Sequence, residues 1–328
     1  MPATIRDVAR AAGVSLATVS RALNGAGNVR PGTRQRVLDA AAAMRFVPSG
    51  AARSLVTRHH DTIGALLPDL HGEYFSEFIR GIDQAARARG LHLLVSSSHG
   101  NGDEAAAALR AMSGRVDGLL VMSPHVDARF LAQNLPAGLP AVLVNTTRLP
   151  GHASFVIDNR GGARLMTRHL ASTGRRRIAF ITGPEGNPEA AERLRGYREG
   201  LPADAVEQVF AGDFTEVSGY AAASRIARAT PRPDAVFAAN DMMAIGCLEA
   251  LAEAGLRVPE DVALGGFDDI PISRYVTPSL TTVRVPIAAL GTSAMEALAK
   301  AIESPGRKPG RQVVIPVEVV VRRSCGAR

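Results

Sequence analysis

The chain has no tryptophan, only four tyrosines and ten phenylalanines, and just two lysines, Lys300 and Lys308, among its 38 basic side chains. The arginine excess reads as coding bias rather than chemistry. Cysteine is almost as scarce. Cys247 and Cys325 lie far apart in sequence, which suits a reducing compartment better than a disulfide framework. No apolar run is long enough to cross a bilayer. The start, Met-Pro-Ala-Thr-Ile-Arg-Asp, has neither the apolar stretch nor the small-residue cleavage pattern of a secretory signal, so a cytoplasmic location is expected. Catalytic signatures are missing too: there is no HExxH, CxxC, Walker loop or nucleophile elbow. Gly100-Asn-Gly-Asp-Glu-Ala fits a dinucleotide fingerprint loosely, but it follows a second strand rather than a first and reads as a turn entering a helix. The histidines are scattered, and the pair His59-His60 has no third ligand to suggest a metal. An enzyme loses its usual anchors, and no cofactor or metal is expected.

What remains is a chain of 328 residues, enough for two or three domains, with its surplus charge at one end. Residues 1–60 hold nine arginines against Asp7 and Asp39, which accounts for the whole formal net charge of +7; the rest is balanced. A cationic head on a neutral body points to nucleic acid, because neutralising phosphates supplies much of the binding free energy.

The head reads as a helix-turn-helix over residues 4–24. Thr4 and Asp7 form a capping box for a first helix with Ile5, Val8 and Ala9 on one face. Gly13 permits the positive φ of a sharp turn. Ser15 caps a second helix whose Val19 and Leu23 face Ile5 and Val8. A third helix, about Pro31 to Met44, should bury Val37, Leu38 and Ala41. If the second helix enters the major groove, Leu16 and Ala17 meet base edges, where they can touch thymine methyls, and Arg21 can grip a guanine. Thr18, Ser20, Asn24 and Arg34 suit phosphates, which set register without reading sequence.

With these motifs the chain resembles the lactose/galactose-repressor family of bacterial regulators. The match runs from Thr-Ile-Arg-Asp-Val-Ala-Arg-Ala-Ala-Gly-Val-Ser through Val-Pro-Ser-Gly-Ala-Ala-Arg-Ser-Leu at 47–55. It resumes at Asp158-Asn159, Ala239-Asn240-Asp241, Gly266-Phe267-Asp268 and Thr-Pro-Ser-Leu-Thr-Thr-Val at 277–283. The resemblance implies a head over 1–46, in which Thr4 and Ser15 also face DNA, and a hinge helix and linker over 47–61. Ser49 would cap that hinge, and Leu55 would be wedged between base pairs in the minor groove. It also implies a homodimer reading an inverted repeat. No heptad repeat follows the last strand to support a tetramer.

From residue 62 short β-branched runs alternate with helical stretches, which argues an α/β core of two doubly wound parallel-sheet lobes. The resemblance, extended to periplasmic sugar-binding proteins, places the first lobe at about 62–158 and 287–313. It places the second at about 159–284 and 316–328. The last segment, Gln312 to Val321, reads as one strand. Open α/β sheets bind ligands beyond the carboxyl ends of their strands. There stand Asp69, Tyr74, Phe75 and Asn145 in the first lobe, and Arg193, Phe214, Asn240 and Asp268 in the second. Asp, Asn and Arg can each engage two neighbouring hydroxyls, and aromatic rings cover apolar sugar faces. The positions match effector-contacting residues of the family. Gly72 and Asn145-Thr146 depart from the pattern of pentose-binding relatives, which carry Asn and Asp-Arg there.

The expectation is a cytoplasmic transcriptional regulator, nucleoid-associated when on DNA. It would repress a carbohydrate-utilisation operon until a sugar-like effector enters between the lobes. An alternative is a corepressor-dependent relative that binds a nucleobase or another non-sugar metabolite. A transport solute-binding protein would share the body but need export in place of the cationic head; an α/β enzyme has no motif in its favour.

Overall fold

Thr4 opens the first helix, α1 (Ile5–Ala12), with its backbone N–H and hydroxyl both donated to the Asp7 carboxylate, at 3.0 and 2.7 Å. The computed structural model to which these distances belong describes residues 3–23, 29–46, 59–304 and 310–327. The chain divides into two units, Met1–Asp61 and Thr62–Arg328.

In the first unit Gly13 ends α1 at φ +64°, a left-handed turn that costs glycine little. The Ser15 hydroxyl accepts the Thr18 N–H at 3.2 Å and starts α2 (Leu16–Leu23). α3 (Pro31–Ala43) carries proline in its first turn, where the missing N–H costs nothing. Val8, Ala9, Ala12, Val19, Ala22, Val37 and Ala41 form the core, with Ile5 and Leu23 packed against it. Leu38, expected inside, is exposed. Val37 and Ala41 are four residues apart and share the inward face, and Leu38 is turned about 100° away from it.

The second unit begins with β1 (Thr62–Leu67), α4 (Glu73–Arg87), β2 (His92–Ser97), α5 (Gly102–Met112), β3 (Gly118–Val121), α6 (Ala128–Asn134), β4 (Ala141–Val144) and β5 (Ala153–Ile157). It continues through α7 (Asn159–Ser172), β6 (Ile178–Ile181), α8 (Pro188–Gly200), β7 (Gln208–Phe210), α9 (Glu216–Ala227), β8 (Ala235–Ala238), α10 (Asp241–Glu253) and β9 (Ala263–Asp268). After a short 3-10 turn at Pro271–Arg274 come β10 (Thr281–Arg284), α11 (Ile287–Glu303), β11 (Gln312–Ile315) and β12 (Glu318–Val320). The strands form two six-stranded sheets, ordered β11-β5-β4-β3-β1-β2 and β12-β10-β9-β8-β6-β7, and every pair is parallel except β10 with β12.

Central strands such as Gly-Leu-Leu-Val at β3 and Ala-Val-Leu-Val at β4 are buried along their whole length, because helices cover both faces of a parallel sheet. The run expected as one strand from Gln312 to Val321 is two. β11 pairs with β5 in the first sheet and β12 with β10 in the second. Pro316, between them, has no N–H to give a ladder, and the chain changes lobes there. It also crosses between β5 and α7 and between β10 and α11, so three segments join the lobes. α4 and α11 meet so closely that a Cβ on Gly81 would lie 2.0 Å from the Ala288 carbonyl oxygen. Cys247 and Cys325 are both buried and unbridged.

Candidate functional site

The carboxyl ends of β1, β3 and β9, with the starts of four helices, enclose a cavity of about 400 Å³ between the lobes. Its charged floor is built on α8. Asn187 caps that helix by accepting the Ala190 N–H at 3.0 Å, and Pro188 occupies the first turn. The cap fixes the helix so that Arg193 points inward, 4 % exposed. A buried guanidinium must be paired and hydrogen-bonded, and this one is. Nε donates to Asn159 Oδ1 at 2.8 Å, Nη1 donates to the Ala239 carbonyl, and Nη2 lies 3.4 Å from Asp268 Oδ1. The Phe267 ring lies beneath it, 3.8 Å from Cζ to the centroid.

Asp268 ends β9 with φ +114°, a conformation that L-residues rarely adopt. Its Oδ1 is buried, within ion-pair distance of Arg193 but without a hydrogen bond of proper geometry. Burial pushes the carboxyl up to about 7, with the charge of Glu189 adding to the shift and Arg193 opposing it. Glu189, in the first turn of α8, is half-buried beside the same arginine and hydrogen-bonded to Asn159. Burial raises its carboxyl as well.

Aromatic side chains form the walls. Phe214 has φ +74°, and its ring lies over Gly183, where a Cβ would come within 2.3 Å of Cζ. The Asn240 amide donates to the Phe214 carbonyl at 2.9 Å, while its Oδ1 caps α10 at the Met243 N–H, 3.0 Å away. Tyr74 and Phe75 meet edge-to-face at 5.4 Å between centroids. Across the rim, Glu73 Oε2 accepts the Ile272 N–H at 2.9 Å, a direct link between first and second lobe.

Of the eight residues expected here, Asp69, Tyr74, Phe75, Arg193, Phe214, Asn240 and Asp268 line the cavity. Asn145 does not. It stands behind the wall, donating to the Tyr74 hydroxyl at 3.1 Å and accepting the Ile157 N–H at 3.3 Å. Its left-handed turn, at φ +45°, accompanies a side chain spent on these two contacts, so it is a support for Tyr74 rather than a wall residue. Asp69 is partly spent as well, its Oδ1 accepting the N–H groups of Leu70 and His71 at 2.6 and 3.1 Å. Sequence reasoning missed Glu189 and Asn159. Each sits in the first turn of a helix, and the caps Asn187-Pro188 and Asp158 were the signals that could have found them.

In the first unit the exposed face of α2 carries Leu16, Ala17 and Arg21. The hydroxyls of Ser15 and Thr18 lie 2.9 Å apart in the α2 cap, and that of Thr4 is held by Asp7. Ser20 and Arg34 are half-buried. Asn24 and Leu55 lie outside the described residues.

Comparisons with known proteins agree with both parts. Residues 4–49 match the model described as "Bacterial regulatory proteins, lacI family", and residues 167–325 match "Periplasmic binding protein-like domain". The chain is 36% identical to the HTH-type transcriptional regulator CelR of Thermobifida fusca, over 98% of each chain. It is also 36% identical to the HTH-type transcriptional repressor PurR of Erwinia tasmaniensis, over 98% of this chain and 96% of that one. Among solved structures, the Lac repressor dimer bound to operator and the anti-inducer ONPF superposes with a TM-score of 0.88 at 28% identity over the whole of both chains. A CelR–cellobiose complex superposes at 0.71 with 32% identity, over 98% of this chain and 99% of that one.

Proposed function

Since this chain belongs to the lacI family of bacterial regulatory proteins, we propose that it is a transcriptional repressor released from its operator by a sugar-like effector bound between the two lobes. One observation carries the effector half of this reading: the Arg193–Asp268 pair on the floor of the cavity, with an aspartate oxygen left without a hydrogen bond. A buried acceptor without a donor costs free energy, and a ligand hydroxyl placed there recovers it. Phe214, Tyr74 and Phe75 supply the apolar surfaces against which a sugar ring packs. The relative solved in complex with cellobiose supports a carbohydrate as the effector.

The DNA half rests on α2 and on the arginines around it. One head covers a half-site, so a homodimer, as in the Lac repressor structure, reads an inverted repeat. No catalytic step is part of this reading. The ligand acts by preferring one arrangement of the lobes over another, since equal affinity for both shifts nothing. A coupling of about 1–3 kcal/mol changes operator affinity roughly 5- to 150-fold. Binding-site selection with the full chain, followed by titration of the selected duplex against a carbohydrate panel, tests both halves. An inverted repeat released by a sugar is the expected result. A direct repeat or a lone half-site would overturn the dimeric reading, and an operator complex indifferent to every sugar would overturn the effector reading.

A further inference from the structure

Four helices present their N-termini to the cavity, because Gly72, Asn187, Thr215 and Asn240, the N-cap residues of α4, α8, α9 and α10, all line it. Four such ends would by themselves make a strong anion site, since unpaired N–H groups and helix dipoles favour negative charge. Each of these helices, however, has a carboxylate in its first turn: Glu73, Glu189, Glu216 and Asp241. The cavity wall itself carries Asp69, Glu189, Asp213, Glu216 and Asp268 against a single arginine among the described residues.

That arginine is already held: Nε and Nη1 donate to Asn159 and the Ala239 carbonyl, and Nη2 faces Asp268 Oδ1 at 3.4 Å without a hydrogen bond. The two histidines on the wall, His71 and His99, are exposed, and His99 lies 3.9 Å from Glu104. Among the described residues the wall thus sets five carboxylates against one guanidinium that already faces Asp268, and the buried Asp268 Oδ1 has no hydrogen-bond donor.

We propose that the cleft selects by charge: it takes an uncharged polyhydroxylated ligand, whose hydroxyls donate to Asp268 and Glu189, and rejects the phosphorylated or carboxylated form of the same sugar. Glu189 is the specificity-determining residue. It sets a carboxylate in the first turn of α8, against the helix dipole, and stands on the cavity wall within electrostatic reach of Arg193. The inference rests on the reading of the cleft as an effector site and narrows it to one class of ligand.

The test uses the full chain and matched probes: D-glucose, D-ribose and cellobiose, each beside a phosphate ester and the aldonic acid of the same sugar. Thermal shift and calorimetry give affinities. The expected result is that at least one neutral sugar binds while its anionic partners bind at least about tenfold more weakly, a gap of about 1.4 kcal/mol. In Glu189→Gln that gap should narrow about tenfold through gain by the anionic partners. An anionic partner that binds as well as its neutral sugar, a set in which nothing binds, or a gap unchanged in Glu189→Gln each overturns the proposal. Asp268→Asn separates the failures. An anionic hit lost in that variant overturns the charge rule and keeps the cleft as the site, whereas hits indifferent to it overturn the cleft itself.

Discussion

Asn240 donates its side-chain amide to the Phe214 carbonyl at 2.9 Å and in the same position caps α10 through the Met243 N–H. One residue thus joins helix stability to the placement of an aromatic wall, and substitution can part the two. Serine keeps a capping oxygen but is too short to carry an amide to Phe214. Asn240→Ser should stay within about 1 kcal/mol of the parent in stability and lose ligand affinity. Asn240→Ala should lose the same affinity and about a further 1 kcal/mol from the missing cap. Thermal unfolding and ligand titration on the three proteins check this. Unchanged affinity in both variants would mean that the Phe214 loop holds its place without Asn240.

Gly183 leaves room for the Phe214 ring, which a Cβ there would approach to 2.3 Å. Overpacking of this kind costs about 1–3 kcal/mol unless the neighbour moves away. Because Phe214 stands on the cavity wall, its displacement falls on the ligand rather than on the core. Gly183→Ala should fold, weaken ligand binding, and leave operator affinity without ligand close to the parent value. Calorimetry for the ligand and fluorescence anisotropy for the operator check the two parts.

Burial raises the Asp268 carboxyl from 3.8 to about 7 and raises Glu189 in the same direction. A carboxyl that holds its proton more tightly folded than unfolded makes the folded state bind more protons between those two values. Stability credited to Asp268 therefore falls as pH rises from about 4 to about 7 and is level above that. Exposed pairs work the other way: the Arg257 guanidinium and N–H groups hold the Asp261 carboxyl at about 2, and that contribution is lost as pH falls from about 4 to about 2. Unfolding curves of the parent and Asp268→Asn between pH 4 and 7 should diverge, with the parent losing ground steadily as pH rises. Parallel curves would mean that Asp268 is ionised throughout and that Arg193 outweighs burial.

Much of this was legible in the sequence, for identifiable reasons. The β-α alternation is strong because both sheets are parallel and covered on both faces, so strands such as Ala235–Ala238 are uninterrupted apolar runs. The residues just past strand ends were readable because parallel sheets place ligands there. Asn145 satisfied that rule and still failed as a wall residue, because its side chain reaches Tyr74, 71 positions earlier in the chain, a contact no local pattern encodes. Glu189 failed in the opposite sense. It follows β6 but stands inside the next helix, and an acidic residue after Asn-Pro reads as an ordinary helix start, though the fold turns that start toward the cavity. Leu38 shows the limit of periodicity in a short helix, where a single step decides inside from outside.

In the head, the exposed Leu16, Ala17 and Arg21 of α2 stand opposite the buried Val19 and Ala22, so one face is fixed in the core and the other is open. Of the three exposed side chains only Arg21 has a planar donor fork, which fits the two acceptors of guanine in the major groove. For Arg34, half-buried on α3, we propose a phosphate contact. The two arginines should therefore fail differently. Arg21→Ala should relax preference at one base pair of each half-site by about 1–3 kcal/mol. Arg34→Ala should weaken all sequences alike and flatten the dependence of log affinity on log salt by about one unit per head. Affinities of both variants for the selected operator and for single-base changes, measured across salt concentrations, separate the roles. If Arg21→Ala lowers every affinity equally and takes the salt slope with it, Arg21 holds a phosphate, and base reading passes to the apolar contacts of Leu16 and Ala17.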